Sequence, residues 1–325
     1  MGRRILVIVL LLLAITIATV TPVLAFTPFG VHVLVTAGIV APTPTPTPTP
    51  IPPTPTPTPE PVLTARGTPP TLSATASYLL DMDTDHTLAD VNGEEPLPMA
   101  STTKIMTALI AIRTGDLNQL ITIKQDAIDE TFLHDGSNAG LAVGEQLTLK
   151  DLLYALMVPS GDDAAIAIAD ALAGTTDNFV QRMNLFAYRL RLFQTHYADP
   201  DGLNWRNSPD HYTTASDLSR LAQYAMSIPL FTEIVQTQSY SIGATAQHHA
   251  HTWKTTNTLL ATYTGMLGIK TGHTDAAGYC LVFAAARNGH HLIGTVLHSP
   301  SDVQRDKDVS TLLDWGFALP LLPPG

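Results

Sequence analysis

G-Y-C-L-V-F-A-A-A-R-N-G-H-H-L-I-G-T-V-L, residues 278–297, decides the fold class. Two apolar runs, Gly278 to Arg287 and His291 to Leu297, flank Asn288-Gly289. Asn and Gly tolerate the positive φ that a two-residue hairpin turn demands, so this stretch predicts an antiparallel hairpin. Far upstream, A-S-Y-L-L-D-M-D-T-D-H-T-L-A-D-V (76–91) predicts two more strands joined by an Asp-rich turn. Between these ends the apolar spacing is helical. From Met99, the residues Ile105, Met106, Leu109, Ile110 and Ile112 cluster ahead of Gly115, and few charges interrupt them, which predicts a helix buried most of the way round. Thr148-Leu-Lys-Asp151 is a capping-box variant that opens a second helix, ended by Pro159. Further helices are expected over Asp163–Ala173, Asp177–Phe193, from Thr214 to before Pro229, and over Ser301–Leu319. Strands at both ends with helices between them predict an α+β domain on an antiparallel sheet.

That domain occupies about residues 72–320 of 325. Arg3 and Arg4 precede the apolar stretch Ile5 to Val20, and Val23-Leu24-Ala25 offers a small-residue cleavage site. Residues 1–25 therefore read as a secretory signal or an uncleaved membrane anchor, since ~20 apolar residues span a bilayer. Either reading exports everything downstream. Residues 26–71 include A-P-T-P-T-P-T-P-T-P-I-P-P-T-P-T-P-T-P-E-P (41–61), which favours extended polyproline II and cannot pack a core. At ~3.1 Å per residue this forms a spacer of roughly 65 Å, a stalk that would carry the domain away from a membrane. The net charge of −11 argues against non-specific nucleic-acid binding. The single cysteine, Cys280, makes no internal disulfide and reads as a small core residue.

Three short motifs carry chemistry. Ser101-Thr-Thr-Lys104 opens the buried helix, where residues three apart share a face, so hydroxyl and amine can meet. A serine is a poor nucleophile until a base takes its proton, and a lysine serves once burial or nearby cations depress its pKa. The helix start adds backbone N–H donors for a developing oxyanion. Ser160-Gly-Asp162 lies between two helices, and Lys270-Thr271-Gly272, within G-I-K-T-G-H-T, suits an anion-binding strand edge that substrate backbone can approach closely. Each motif alone is weak. Together and in this order they match the signature set of penicillin-binding proteins and class A β-lactamases.

The chain resembles the serine-type D-alanyl-D-alanine carboxypeptidases, the low-molecular-mass penicillin-binding proteins. The likeness extends through M-A-S-T-T-K-I-M-T-A-L (99–109), G-S-N-A-G-L-A-V-G-E (136–145), L-T-L-K-D-L-L-Y-A-L-M (147–157), D-P-D-G-L (199–203) and T-A-S-D-L (214–218). It implies a five-stranded antiparallel sheet packed by helices beside a mostly helical region. It implies that Ser101 attacks the bond between the last two D-alanines of a peptidoglycan stem peptide, with Lys104 as base and Ser160 as proton relay. Lys270 and Thr271 would receive the terminal carboxylate, Gly272 would give room to the substrate, and the backbone N–H groups of Ser101 and His273 would form the oxyanion hole. Hydrolysis would need no metal or cofactor, and β-lactams would acylate Ser101 as mimics. A β-lactamase or DD-endopeptidase of the same fold, or a catalytically weak penicillin- or wall-binding protein, are the alternatives.

One position departs from the family pattern, which has asparagine where this chain has Asp162. Asparagine donates an N–H, whereas an ionised aspartate only accepts. A carboxylate beside Lys104 favours the ammonium form, the wrong state for a base, and pairing of the two is expected in the resting enzyme. Asp163 is explained by the helix dipole alone. The histidines of His248-His-Ala-His251 have no carboxylate at useful spacing and read as an exposed loop rather than a zinc site.

Overall fold

A computed structural model describes residues 61–204 and 208–322, with scattered positions before residue 42. The export segment and most of the Thr/Pro-rich stretch lie outside the described residues. Among the described residues no helix is long and apolar enough to cross a membrane. The chain divides into two units, Met1–Thr58 and Pro59–Gly325, and the second holds the fold.

This unit opens with β1 (Val62–Leu63), β2 (Ala76–Asp81) and β3 (Thr87–Val91), then a 3-10 turn (Ala100–Thr103) that feeds α1 (Lys104–Thr114). A helical region follows: β4 (Leu120–Thr122), α2 (Gln125–Leu133), β5 (Gln146–Thr148), α3 (Leu149–Met157), α4 (Asp162–Ala173) and α5 (Thr176–Arg189). Next come α6 (Ala215–Met226), α7 (Pro229–Val235), the hairpin β6 (Ser239–Ile242) and β7 (His251–Lys254), and the short α8 (Leu259–Thr262). The chain closes with β8 (Met266–Thr274), β9 (Gly278–Arg287), β10 (His290–Ser299), α9 (Asp302–Phe317) and β11 (Leu321–Leu322). The main sheet is five-stranded, in the order β3-β2-β10-β9-β8, with every pair antiparallel.

Side chains alternate across a strand, and here both faces are covered. Tyr78, Leu80, Val282, Ala284 and Ile293 join the core shared with α1 and α6, while Leu79, Leu281, Phe283, Leu292 and Val296 pack under α9. Burial on both sides explains why residues 278–297 are apolar almost throughout rather than alternating. β8 lies at the sheet's edge, and the 3-10 turn packs against it.

Local chemistry sets the helix limits. Side chains of Thr148, Thr214 and Ser301 accept the N–H three residues on, at Asp151, Asp217 and Gln304. The helix expected to reach Phe193 stops at Arg189, because Arg191 takes a left-handed conformation (φ 61°) and Leu192 N–H turns back to the Ala187 carbonyl. No glycine or proline marks that stop in the sequence. Within the stretch read as linker, β1 pairs with β11, so the polypeptide enters and leaves the fold side by side.

Gly294 in β10 crosses β2 so closely that a Cβ would stand 2.4 Å from the Tyr78 carbonyl oxygen and 2.7 Å from the Phe283 ring. Gly294→Ala should destabilise the domain by about 2–3 kcal/mol, read as a lower urea midpoint.

Candidate active site

Lys104 is the first residue of α1 and is fully buried. Its ammonium donates to Ser101 Oγ at 2.8 Å, to the Asp201 carbonyl at 2.8 Å, and to Oδ1 of Asp162. Three acceptors thus surround this buried nitrogen, one for each proton an ammonium carries. The serine and lysine of S-T-T-K therefore meet as their spacing predicts, and Asp162 pairs with Lys104 as expected. No hydrogen bond joins Ser160 to Lys104 among the described residues.

Asp162 is placed by the reversal between α3 and α4. Ser160 there adopts a left-handed backbone (φ 70°), uncommon for a residue with a side chain. Gly161 follows because a Cβ would meet Ala139 Cβ at 2.6 Å and the Ala155 carbonyl at 2.8 Å. Asp162 and Asp163 then begin α4, both buried. Asp162 Oδ2 accepts Ser137 N–H at 2.6 Å, and Asp163 accepts the N–H groups of Ala139 and Leu141. Asp163 thus does more than offset a dipole: it straps the 137–141 loop to the helix start. Burial pushes the carboxyl of Asp162 above its ordinary value, against the opposing pull of Lys104 and the Ser137 N–H.

Strand β8 supplies the third motif. Lys270 is buried, and its amine donates to the Thr271 carbonyl at 2.9 Å. Burial first, then the neighbouring Lys104, holds Lys270 well below the usual lysine value, and Arg305 adds to that effect. The Thr271 hydroxyl shares a 2.6 Å hydrogen bond with Thr256 Oγ1. Gly272 lies against the nucleophile's turn, where a Cβ would sit 3.1 Å from Ser101 N and 3.1 Å from the Met99 carbonyl. His273 is exposed and lies 4.0 Å, centroid to centroid, from Tyr279.

The loop 199–203 packs against the turn that carries Ser101. Gly202 (φ 91°) presses on the strained turn at Ala100 (φ 48°), whose carbonyl oxygen a Cβ would meet at 1.8 Å. Thr103 donates to the Ala100 carbonyl and contacts His211 Nε2 at 3.0 Å. His211 Nδ1 accepts from Ala198 N–H, so the ring is neutral, consistent with burial lowering its pKa, and its 3.5 Å approach to Asp199 is not an ion pair.

Sequence reasoning assigned no role to Asp201, whose carbonyl binds Lys104, to Arg305 or to Thr256. Asp201 sits in a quoted family segment but reads there as loop, and Arg305 lies in Q-R-D-K-D, which resembles a solvated helix face. The His248–His251 reading needs correction at one residue. His251 is buried in β7, and both it and His249 reach Glu145, at 3.2 and 2.7 Å, a carboxylate that only the fold brings near.

A nucleophile–amine pair at a helix start, facing a Lys-Thr-Gly edge strand on this sheet, defines a serine acyl-transfer site of the penicillin-binding and β-lactamase fold. A family model described as D-alanyl-D-alanine carboxypeptidase matches residues 64–301. A D-alanyl-D-alanine carboxypeptidase of Streptomyces sp. (strain K15) is 37% identical over 264 residues, covering 78% of this chain and 90% of the relative. D-alanyl-D-alanine carboxypeptidase DacF of Bacillus subtilis is 30% identical over 247 residues, covering 75% of this chain and 62% of that longer protein. The crystal structure of the Streptomyces K15 DD-transpeptidase superposes with a TM-score of 0.74, covering 78% of this chain and 100% of that one. The chain belongs to the D-alanyl-D-alanine carboxypeptidase family of serine peptidases.

Gly272→Ala should push β8 off the nucleophile's turn. The expected result is a fall in Ser101 acylation by a fluorescent penicillin of roughly ten- to a hundredfold, with a urea midpoint close to wild type.

Proposed function

We propose that this protein removes the terminal D-alanine of peptidoglycan stem peptides by hydrolysis through an acyl-enzyme on Ser101. The observation that carries this reading is the 2.8 Å contact of Ser101 Oγ with a buried Lys104, opposite the Lys270–Gly272 edge strand. Lys104 must first shed a proton, and Asp162 lies against it. The amine then takes the Ser101 proton as Oγ bonds to the carbonyl carbon of the D-Ala–D-Ala peptide. Backbone N–H groups of Ser101 and His273 stabilise the oxyanion. The C–N bond breaks, the leaving D-alanine nitrogen gains a proton relayed through Ser160, and water later releases the acyl group. Lys270 and Thr271 receive the terminal carboxylate, with Thr256 fixing the Thr271 hydroxyl and Arg305 adding positive field. A carboxylate arriving beside Lys270 opposes the burial that disfavours its charge. β-Lactams enter the same path and stop at the acyl-enzyme.

The start of the chain supports an exported enzyme held by its N-terminal segment, with the Thr/Pro-rich stretch as stalk. Full-length protein should sediment with membranes and survive carbonate extraction, whereas a chain starting at residue 61 should stay in the supernatant. Cofractionation of both with soluble proteins would refute the anchor.

Asp162 restrains the proposed base. Its carboxylate holds Lys104 in a hydrogen-bonded pair where the family pattern offers an amide N–H. Asp162→Asn should free the Lys104 amine from that anion and speed labelling of Ser101 by a fluorescent penicillin several-fold near neutrality. Ser101→Ala should abolish labelling and D-alanine release. An Asp162→Asn labelling rate equal to that of wild type would sink the pairing mechanism, and labelling of Ser101→Ala would sink the nucleophile.

A further inference from the structure

The last two turns of α5 and the reversal after them form a surface of different character from the rest of the chain. Residues 182–196, R-M-N-L-F-A-Y-R-L-R-L-F-Q-T-H, hold three arginines and no carboxylate, in a chain of net charge −11. Leu185, Tyr188 and Phe193 stand 47%, 70% and 68% exposed, and Arg182, Arg189 and Arg191 are exposed beside them. Arg182 donates to the Leu172 carbonyl at 2.7 Å, and none of the three arginines has an ion pair among the described residues. The carboxylates tied to this stretch, Glu94 and Asp217, bind Gln194 and Thr195 instead.

The backbone fixes this arrangement. Leu185 has Arg182 three residues before it and Tyr188 and Arg189 three and four after it, so the four share one helix face. Arg191 then takes a left-handed conformation (φ 61°) that glycine would adopt without strain. Backbone N–H groups of Leu190, Arg191 and Leu192 bond the carbonyls of Phe186, Tyr188 and Ala187. The reversal buries Leu192 and brings the Phe193 ring edge-on to Tyr188, with centroids 5.9 Å apart. A hydrogen-bonded turn therefore holds two aromatic rings out in solvent, and strain retained in this way concentrates at functional surfaces. Rings and a leucine among unpaired guanidinium groups match a bilayer interface, where aromatic side chains sit at headgroup depth and arginines meet phosphates. The acidic remainder of the chain is repelled by the same surface, so the field turns this end of the domain towards the lipid.

We propose that the C-terminal end of α5 docks the domain on a membrane containing acidic phospholipid, with Leu185, Tyr188 and Phe193 among the headgroups and Arg182, Arg189 and Arg191 on lipid phosphates. The N-terminal anchor proposed above supplies the membrane. A tethered domain meets that surface at high effective concentration, so a patch that is weak by itself suffices, and docking limits how freely the domain turns on its stalk. Each arginine at such a surface contributes on the order of fivefold in partitioning, and salt screens that contribution.

Residues 61–325 contain the whole main sheet and both parts of the core, so a chain starting at residue 61 tests the patch apart from the anchor. It is sedimented at low ionic strength with vesicles of phosphatidylcholine alone or with about 30% phosphatidylglycerol. Binding to the acidic vesicles should be at least about tenfold stronger than to the neutral ones and should be lost in about 0.5 M salt. Carbonate strips such a peripheral contact, which keeps it distinct from the anchor. Arg189→Gln with Arg191→Asn should weaken binding by on the order of twentyfold. Asparagine tolerates the left-handed backbone at position 191, so this variant should keep the wild-type thermal midpoint. Tyr188→Ser with Phe193→Ser leaves the charges in place and should weaken binding several-fold. Equal binding to the two kinds of vesicle, binding to neither, or undiminished binding by either variant overturns the docking surface. So does a wild-type dimer seen by sedimentation velocity without lipid and absent in the arginine variant, which assigns the face to a second copy of this chain. None of these outcomes bears on the carboxypeptidase reading, which Ser101 labelling tests separately.

Discussion

The architecture around the site follows from one requirement, that a lysine with no solvent access be given acceptors for all its protons. A buried, unpaired ammonium is so unfavourable that it neutralises or the structure yields. Lys104 avoids this by drawing on three separate parts of the chain: Ser101 from the turn before its own helix, Asp162 from the start of α4, and the Asp201 carbonyl from the 199–203 loop. Asp162 and Asp201 lie 58 and 97 residues from Lys104 along the chain. They meet on the amine that also touches Ser101 Oγ, so the group whose charge must be compensated is the one proposed as the base.

Convergence has a conformational cost. Ala100, Ser160 and Gly202 all have positive φ, and they flank the nucleophile, the second motif and the closing loop respectively. Strain of about 1–3 kcal/mol at a non-glycine residue persists only where surrounding contacts over-determine it. Such contacts are present. Thr103 ties down Ala100, Gly161 packs on Ala139 and Ala155, and Asp163 binds the loop bearing Ser137, the residue that orients Asp162. A rigid frame of this kind lets donors face an oxyanion without reorganising when it forms.

Much of this was legible in the sequence because the informative signals are local. The Asn288-Gly289 hairpin, the capping residues Thr148, Thr214 and Ser301, and the three-residue spacing of Ser101 and Lys104 each depend on neighbours along the chain. What was not legible depends on tertiary approach. The Asp201 carbonyl is a backbone group, which no residue-type pattern reveals. Arg305 looks like one more charge on a solvated helix, yet it is buried within electrostatic reach of Lys270. Glu145 lies far from His249 and His251 in sequence and meets them only when the β6–β7 hairpin folds over. The early stop of α5 at Arg189 lacks a glycine or proline, so only the left-handed Arg191 records it.

Charge balance explains why an aspartate can stand where the family pattern has asparagine. Burial first, and then Asp199 and Asp162, push the carboxyl of Asp201 well above its usual range and favour its neutral form. Burial likewise favours neutral Lys270. Lys104 and Asp162 are thus the ion pair of this centre, flanked by groups whose burial works against charge. An asparagine at position 162 would leave the Lys104 amine with two neutral oxygen acceptors and no anion, so the aspartate supplies the charge compensation that burying a lysine here calls for.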